Sequence, residues 1–177
     1  MRPFRADRRG GGVHARFEAA EADVLRRFAA VAAERAERAG SETRDGAPAD
    51  PTLTRLLPDA YPDDPEASAE FHRFTAERLA ESKVQNARTV IESLSGPAEE
   101  ARPDGAVEVR LDSAQAQAWL RALTDIRLAL AAHLGIEFDG DEGDVHDLES
   151  ATRLAVYDWL AVVQEFLVLA LARAEHH

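Results

Sequence analysis

Between Leu154 and Leu171 the chain carries only three strongly polar residues, Asp158, Gln164 and Glu165. As a helix, such a segment is apolar almost all the way round and has to be covered on nearly every side. It is either the central helix of its own domain or one shared with a partner subunit. A four-helix domain struggles to surround one of its helices fully, so we expect a homodimer. A membrane span is not expected, because a spanning helix needs about 20 mostly apolar residues without such charges among them. Asp158 and Glu165 lie seven residues apart and share a face with Ala161 and Ala172. They form a narrow solvent stripe or meet an arginine offered by a neighbouring helix.

The arginine on offer is Arg127. Trp119, Leu123, Ile126, Leu130 and Leu134 recur at helical spacing, after a natural N-cap at Asp112 and before a natural stop at Gly135. Arg127 projects inside that apolar arc, where an unpaired charge is severely unfavourable. An Arg127–Asp158 or Arg127–Glu165 bridge is therefore predicted, with Arg127→Met folding worse than the parent chain. Asp125 points elsewhere on the same helix. Lys83, the one lysine in the chain, sits at the edge of another apolar stripe. It reads as a snorkelling side chain, or more sharply as an amine of depressed pKa.

The remaining elements follow from period and punctuation. Phe4 and Ala6, then Val13, Ala15 and Phe17, alternate with charged neighbours across Arg9-Gly-Gly-Gly12, which predicts a β-hairpin. Residues 18–39 read as a helix with Val24, Leu25, Phe28 and Val31 on its buried face and Gly40 as its stop, followed by a flexible loop over 40–49. Residues 50–65 pack four prolines and four aspartates around Leu53, Leu56, Leu57 and Tyr61. There Asp50-Pro51 caps a short helix that Pro58 ends, and Asp64-Pro65 opens a long one reaching about Leu94 before Gly96-Pro97. The long helix changes face midway, from Ala67, Phe71 and Phe74 to Ala80, Val84, Ala87, Ile91 and Leu94, which predicts a kink near 78–82 or, preferably, different neighbours for its two halves. After a second flexible loop near 97–105, residues 107–111 alternate as a strand able to join the hairpin. A last helix is expected from about Val145. The fold class is mainly α, a bundle of about four long helices plus one short one with a small antiparallel sheet, in a single domain over 1–177.

Composition removes several function classes. A net charge of −12 disfavours a general nucleic-acid or anionic-membrane binder. The local exception is Arg2, Arg5, Arg8, Arg9 and Arg16 against Asp7, a solvated arm or one that contacts phosphate. Without cysteine there is no disulfide, thiolate metal site or thiol switch in these residues. The N-terminus has no apolar signal region, so a cytoplasmic location is expected, and Glu175-His-His is read as a tag remnant. His14, His72, His133 and His146 lack ligand spacing. Asp139, Asp141, Glu142 and Asp144 lack the glutamate that closes an EF-hand loop. Gly10-Gly11-Gly12 lacks the Lys-Ser/Thr of a phosphate loop, and no nucleophile elbow occurs. No cofactor, metal or catalytic residue is expected.

Three blocks carry a family resemblance: Asp50 to Tyr61 with Asp63-Asp64, Ala118 to Leu130, and Val156-Tyr-Asp-Trp-Leu160 with Gln164-Glu165. Together they resemble an actinobacterial domain-of-unknown-function family encoded near the adaptor of the Clp protease, which includes oxidative-stress transcriptional regulators. Thr124 stands where that pattern leads us to expect asparagine. The resemblance implies a non-enzymatic, cytoplasmic regulatory protein acting through protein contacts in transcription or Clp proteolysis. The candidate interaction and signature residues are Asp50, Pro51, Arg55, Leu56, Leu57, Pro58, Tyr61, Asp64, Trp119, Asp125, Arg127, Tyr157, Asp158, Trp159 and Glu165, with Trp119, Arg127, Asp158 and Trp159 expected as one cluster. The alternatives are a DNA-binding regulator using the Arg-rich N-terminus and a small-molecule-binding bundle that holds Arg127 unpaired in a polar pocket.

Overall fold

The computed structural model describes residues 1–7, 12–45, 65–95, 105–138, 140–141 and 143–174. It is mainly helical with a small three-stranded antiparallel sheet. The short helix expected at 51–58 and the loops at 46–49 and 97–104 lie outside the described residues.

Strands β1 (Arg2–Ala6) and β2 (Val13–Phe17) form the expected hairpin, closed by a 2.7 Å hydrogen bond from the Asp7 amide to the Gly12 carbonyl. Strand β3 (Val107–Leu111) pairs antiparallel on the other side of β2, giving the order β1-β2-β3. Gly12 is needed where these strands meet, because a Cβ there would lie 2.5 Å from the Leu111 carbonyl oxygen. Arg2 pairs with Arg16 and Arg5 with His14, so Pro3 and Phe4 together oppose Ala15 in a β-bulge. Proline suits that place, since it has no amide hydrogen to give the ladder. Phe4, Val13, Ala15, Phe17, Val109 and Leu111 are buried and make up the inner face.

Helix α1 (Ala19–Asp45) runs past Gly40, contrary to the expected stop. One glycine in a helix costs only about 1 kcal/mol relative to alanine, which a packed helix of this length outweighs. Its buried row also differs from expectation. Ala22, Leu25, Ala29, Ala32, Ala36 and Ala39 are buried, whereas Val31 is 38% exposed. Alanines win because α1 lies chiefly against helix α2 (Pro65–Leu94), and close approach of two helices favours the smallest side chains.

Helix α2 is continuous across 78–82, and Ala80, Val84, Ala87 and Leu94 are buried as its second half predicts, while Val90 is buried in place of Ile91, which is only partly so. The side chains of Ala67, Phe71 and Phe74 lie outside the described residues. Helix α3 (Ser113–Leu134) begins at a capping box, with the Asp112 carboxylate accepting from the Gln115 amide and the Gln115 side chain accepting from the Asp112 amide. It ends at Gly135 in the left-handed region (φ 67°), which donates to the Ala131 carbonyl. Trp119, Leu123, Ile126, Leu130 and Leu134 are all buried, as expected.

Helix α4 (Leu148–Ala174) starts three residues after Val145, because Asp147 caps it: its carboxylate accepts from the Ser150 amide at 2.8 Å. Leu160, Val163, Leu167, Ala170 and Leu171 are buried where α4 crosses β1 and flanks α3. On its far side Val162, Val168 and Leu169 are 45, 49 and 43% exposed. By length and composition this helix could cross a membrane. A core helix has the same profile, and here one face packs on the sheet while Asp158 and Glu165 stand exposed midway along the other.

Candidate functional site

The eight candidates of the proline-rich segment, Asp50, Pro51, Arg55, Leu56, Leu57, Pro58, Tyr61 and Asp64, lie outside the described residues. The other seven divide among three environments and do not form one cluster.

Trp119 and Asp125 belong to the packing of α3. Trp119 is fully buried, with the rings of Phe4 and Phe17 at 5.6 and 5.9 Å, and its indole N–H donates to Ser93 Oγ at 2.9 Å. The tryptophan thereby ties the sheet and α2 to α3, and satisfies its own polar atom in doing so. One turn and a half further along, Asp125 faces α2 and accepts from Lys83 Nζ at 2.5 Å, with the two side chains 10% and 15% exposed. Lys83 therefore does not snorkel free, and Asp125, turned away from Arg127 as expected, is engaged by α2 instead. Burial raises the Asp125 carboxyl above the ordinary carboxylate value, while the hydrogen bond and charge of Lys83 oppose the rise.

Arg127 and Tyr157 form the α3–α4 seam. The guanidinium lies over the Tyr157 ring, 4.7 Å from its centroid, and Nη1 donates to Gln164 Oε1 at 3.2 Å. Gln164 in turn donates through Nε2 to Thr124 Oγ1 at 2.8 Å, and Thr124 donates to the Leu120 carbonyl at 2.9 Å. The predicted Arg127–Asp158 and Arg127–Glu165 bridges are absent: both acids are exposed and form no ion pair among the described residues. A neutral amide and an aromatic face form the shell of this half-buried guanidinium in place of a carboxylate, and Nε is left buried without a partner among the described residues. The guanidinium is also not held unpaired in a polar pocket, as the small-molecule reading requires. Trp159 is partly buried against the main core.

Sequence reasoning missed the partners of Lys83 and of Gln164, the role of Ser93, and the pairing of Arg35 with His133. In that pair Arg35 Nη2 lies 3.0 Å from His133 Nε2, while His133 Nδ1 lies 2.9 Å from the Ala129 carbonyl. The signal available for Lys83 was its isolation among Ala80, Val84 and Ala87; its partner depended on the relative rotation of two helices. Near the acidic loop, Asp141 accepts from the amides of Glu137 and Gly143, which lowers its carboxyl below the ordinary range. Its oxygens serve the loop's own backbone. Among the described residues no group of three or more potential ligands converges as a metal site would.

Comparison with known proteins adds a family and a role for relatives. The family described as "Domain of unknown function (DUF2017)" matches residues 1–171. Proteins of Mycobacterium tuberculosis and Mycobacterium bovis named oxidative stress regulator AosR are 37% identical over 132 residues, covering 70% of this chain and 59% of their own length. A Mycobacterium leprae protein provisionally given the same name is 33% identical over 147 residues, covering 76% of this chain and 63% of its own. The chain thus spans about three-fifths of the length of the curated relatives it matches. No solved structure matches it.

Proposed function

Because the chain belongs to the DUF2017 family, whose mycobacterial relatives are named as oxidative stress regulators, we propose that it is a non-enzymatic regulatory protein of the stress response. It works in the cytoplasm through contacts with other proteins, as a homodimer and with a partner from transcription or Clp proteolysis. The observation that carries this reading is the outer side of α4. Val162, Val168 and Leu169 expose apolar side chains on either side of Asp158 and Glu165, and Leu128 on the adjoining helix α3 is 36% exposed. Exposed apolar surface on adjoining helices is what association covers.

The double variant Val162→Asp/Leu169→Asp tests this reading. Both positions are exposed, so the melting temperature should stay near that of the parent chain. Light scattering during size exclusion should show a dimer for the parent and a monomer for the variant. A parent chain that stays monomeric at high micromolar concentration removes the dimer. Crosslinked complexes in the native host that survive the double variant unchanged remove α4 as the contact surface.

A further inference from the structure

The fold turns the N-terminal arginines into a flat charged surface that includes a residue far away in sequence. Val13, Ala15 and Phe17 are buried, so His14 and Arg16 stand on the opposite side of β2. Directly opposed residues of antiparallel strands share a face. The register therefore sets Arg5, His14 and Arg110 in one row across the three strands, and Arg2, Arg16 and Glu108 in the next. The bulge at Pro3 and Phe4 makes this possible, since Arg2 and Arg5, three residues apart, would otherwise point to opposite sides. Neighbours within a row lie about 4.8 Å apart and the rows about 6.7 Å apart. Four arginines against one glutamate leave this face at +3 with His14 neutral, on a chain of net charge −12. Glu108 bonds Arg110 at 2.9 Å, while Arg2 and Arg5 make no ion pair among the described residues.

The type of ligand follows from what this face lacks. Every exposed large apolar side chain among the described residues lies on a helix or in the 138–145 loop, and none on the sheet. Protein interfaces form around desolvated apolar or aromatic anchors, whereas phosphate contacts need none. Phe4 and Phe17 both point inward, so no phenyl, phenol or indole ring of the sheet is available for stacking on bases, and the imidazole of His14 is the one ring on this face. We propose that the outer face of the β1-β2-β3 sheet is a binding site for the phosphate backbone of a nucleic acid, gripped without regard to sequence by Arg2, Arg5 and Arg110 beside Arg16. The acidic remainder of the chain repels the same polyanion, which confines contact to this face and makes it a weak, positioning one.

Fluorescence anisotropy of a short mixed-sequence DNA duplex, titrated with the full chain across a range of salt concentrations, tests the site. Binding should weaken with salt at a log–log slope of about −3, as three to four neutralised phosphates require. Arg5→Gln/Arg110→Gln should weaken binding about tenfold or more and flatten the slope by about 2. Glu108→Gln, which releases Arg110, should tighten binding about two- to threefold, a gain that misfolding does not mimic. Arg121→Gln, exposed on α3 and outside both this face and the outer side of α4, should change nothing, so loss of binding in the double arginine variant reports the sheet face. No binding at low salt, or binding indifferent to the double arginine variant, overturns the proposal. So does a polyglutamate peptide that binds the same arginines more tightly than the duplex, which would assign the face to an acidic protein segment.

Discussion

Lys83 and Asp125 illustrate how a near-buried pair constrains the helices that carry it. Removing one partner leaves the other charge without compensation, so Lys83→Met should lower the stability measured in urea by about 3 kcal/mol. Lys83→Met/Asp125→Leu should recover most of that loss, and a double variant as unstable as the single one would contradict this account. The pH dependence has a definite sign. Because burial raises the Asp125 carboxyl, the folded chain holds that proton to higher pH than the unfolded chain does. Its contribution is therefore complete below the ordinary carboxylate value and is lost as pH rises through the raised one. Urea midpoints of parent and Asp125→Asn, compared from about pH 3 to 7, should differ in the parent's favour most at the acid end. For Arg127, which bonds a neutral amide and has its Nε buried without a partner among the described residues, Arg127→Met should shift stability by less than about 1 kcal/mol. The sequence located Arg127 inside the apolar arc but not its partner, because a guanidinium can donate to an amide oxygen or lie over a ring as well as pair with an acid. Lys83–Asp125 was not legible at all, since single-helix periodicity does not give the rotation of α2 against α3.

At the scale of elements, the parts fixed by local chemistry were the ones the sequence disclosed. The hairpin, the strand at 107–111 and both ends of α3 follow from alternation, an N-cap and a glycine. These ends are open to direct test. Asp112→Ala removes the carboxylate half of the capping box, leaving the Gln115 side chain on the residue-112 amide, and should cost about 1 kcal/mol. Gly135→Ala should cost a similar amount, because the position sits at φ 67° and a Cβ would come within 3.1 Å of the Asp144 carboxylate. Melting curves of the two single variants check both; unchanged midpoints would mean the α3 ends contribute nothing. The face of α1 was misread for a different reason. Hydrophobic pattern favours Val24, Phe28 and Val31 as the largest apolar groups, but the neighbouring helix is close enough to select alanine. The β-bulge at Pro3 and Phe4 was equally invisible, since strict alternation would set Arg2 on the side of Phe4.

For the molecule as a whole, the family and the mainly α class were readable, while the assembly of the candidate residues into a site was not. The blocks that signal the family, around Trp119 and Val156, serve mainly to hold α3 against the sheet, α2 and α4. Signature and proposed surface thus separate only in part: Asp158 and Glu165 of the third block stand on the outer side of α4, whereas the outer sheet carries none of the signature residues. Relatives are named for oxidative stress, yet these residues include no cysteine and a single methionine at position 1. Mild peroxide treatment should accordingly leave the melting temperature and elution volume unchanged; a shift of either would reveal an oxidisable group that thiol chemistry does not supply. The alanine row of α1 has a consequence for how this protein can vary. A seam of methyl groups fixes the gap between two helices at the smallest chiral side chain, so nearly every replacement there enlarges it. Saturation mutagenesis of positions 22, 29, 32, 36 and 39 should therefore yield a one-sided tolerance profile, admitting glycine and serine and rejecting valine, leucine and phenylalanine alike.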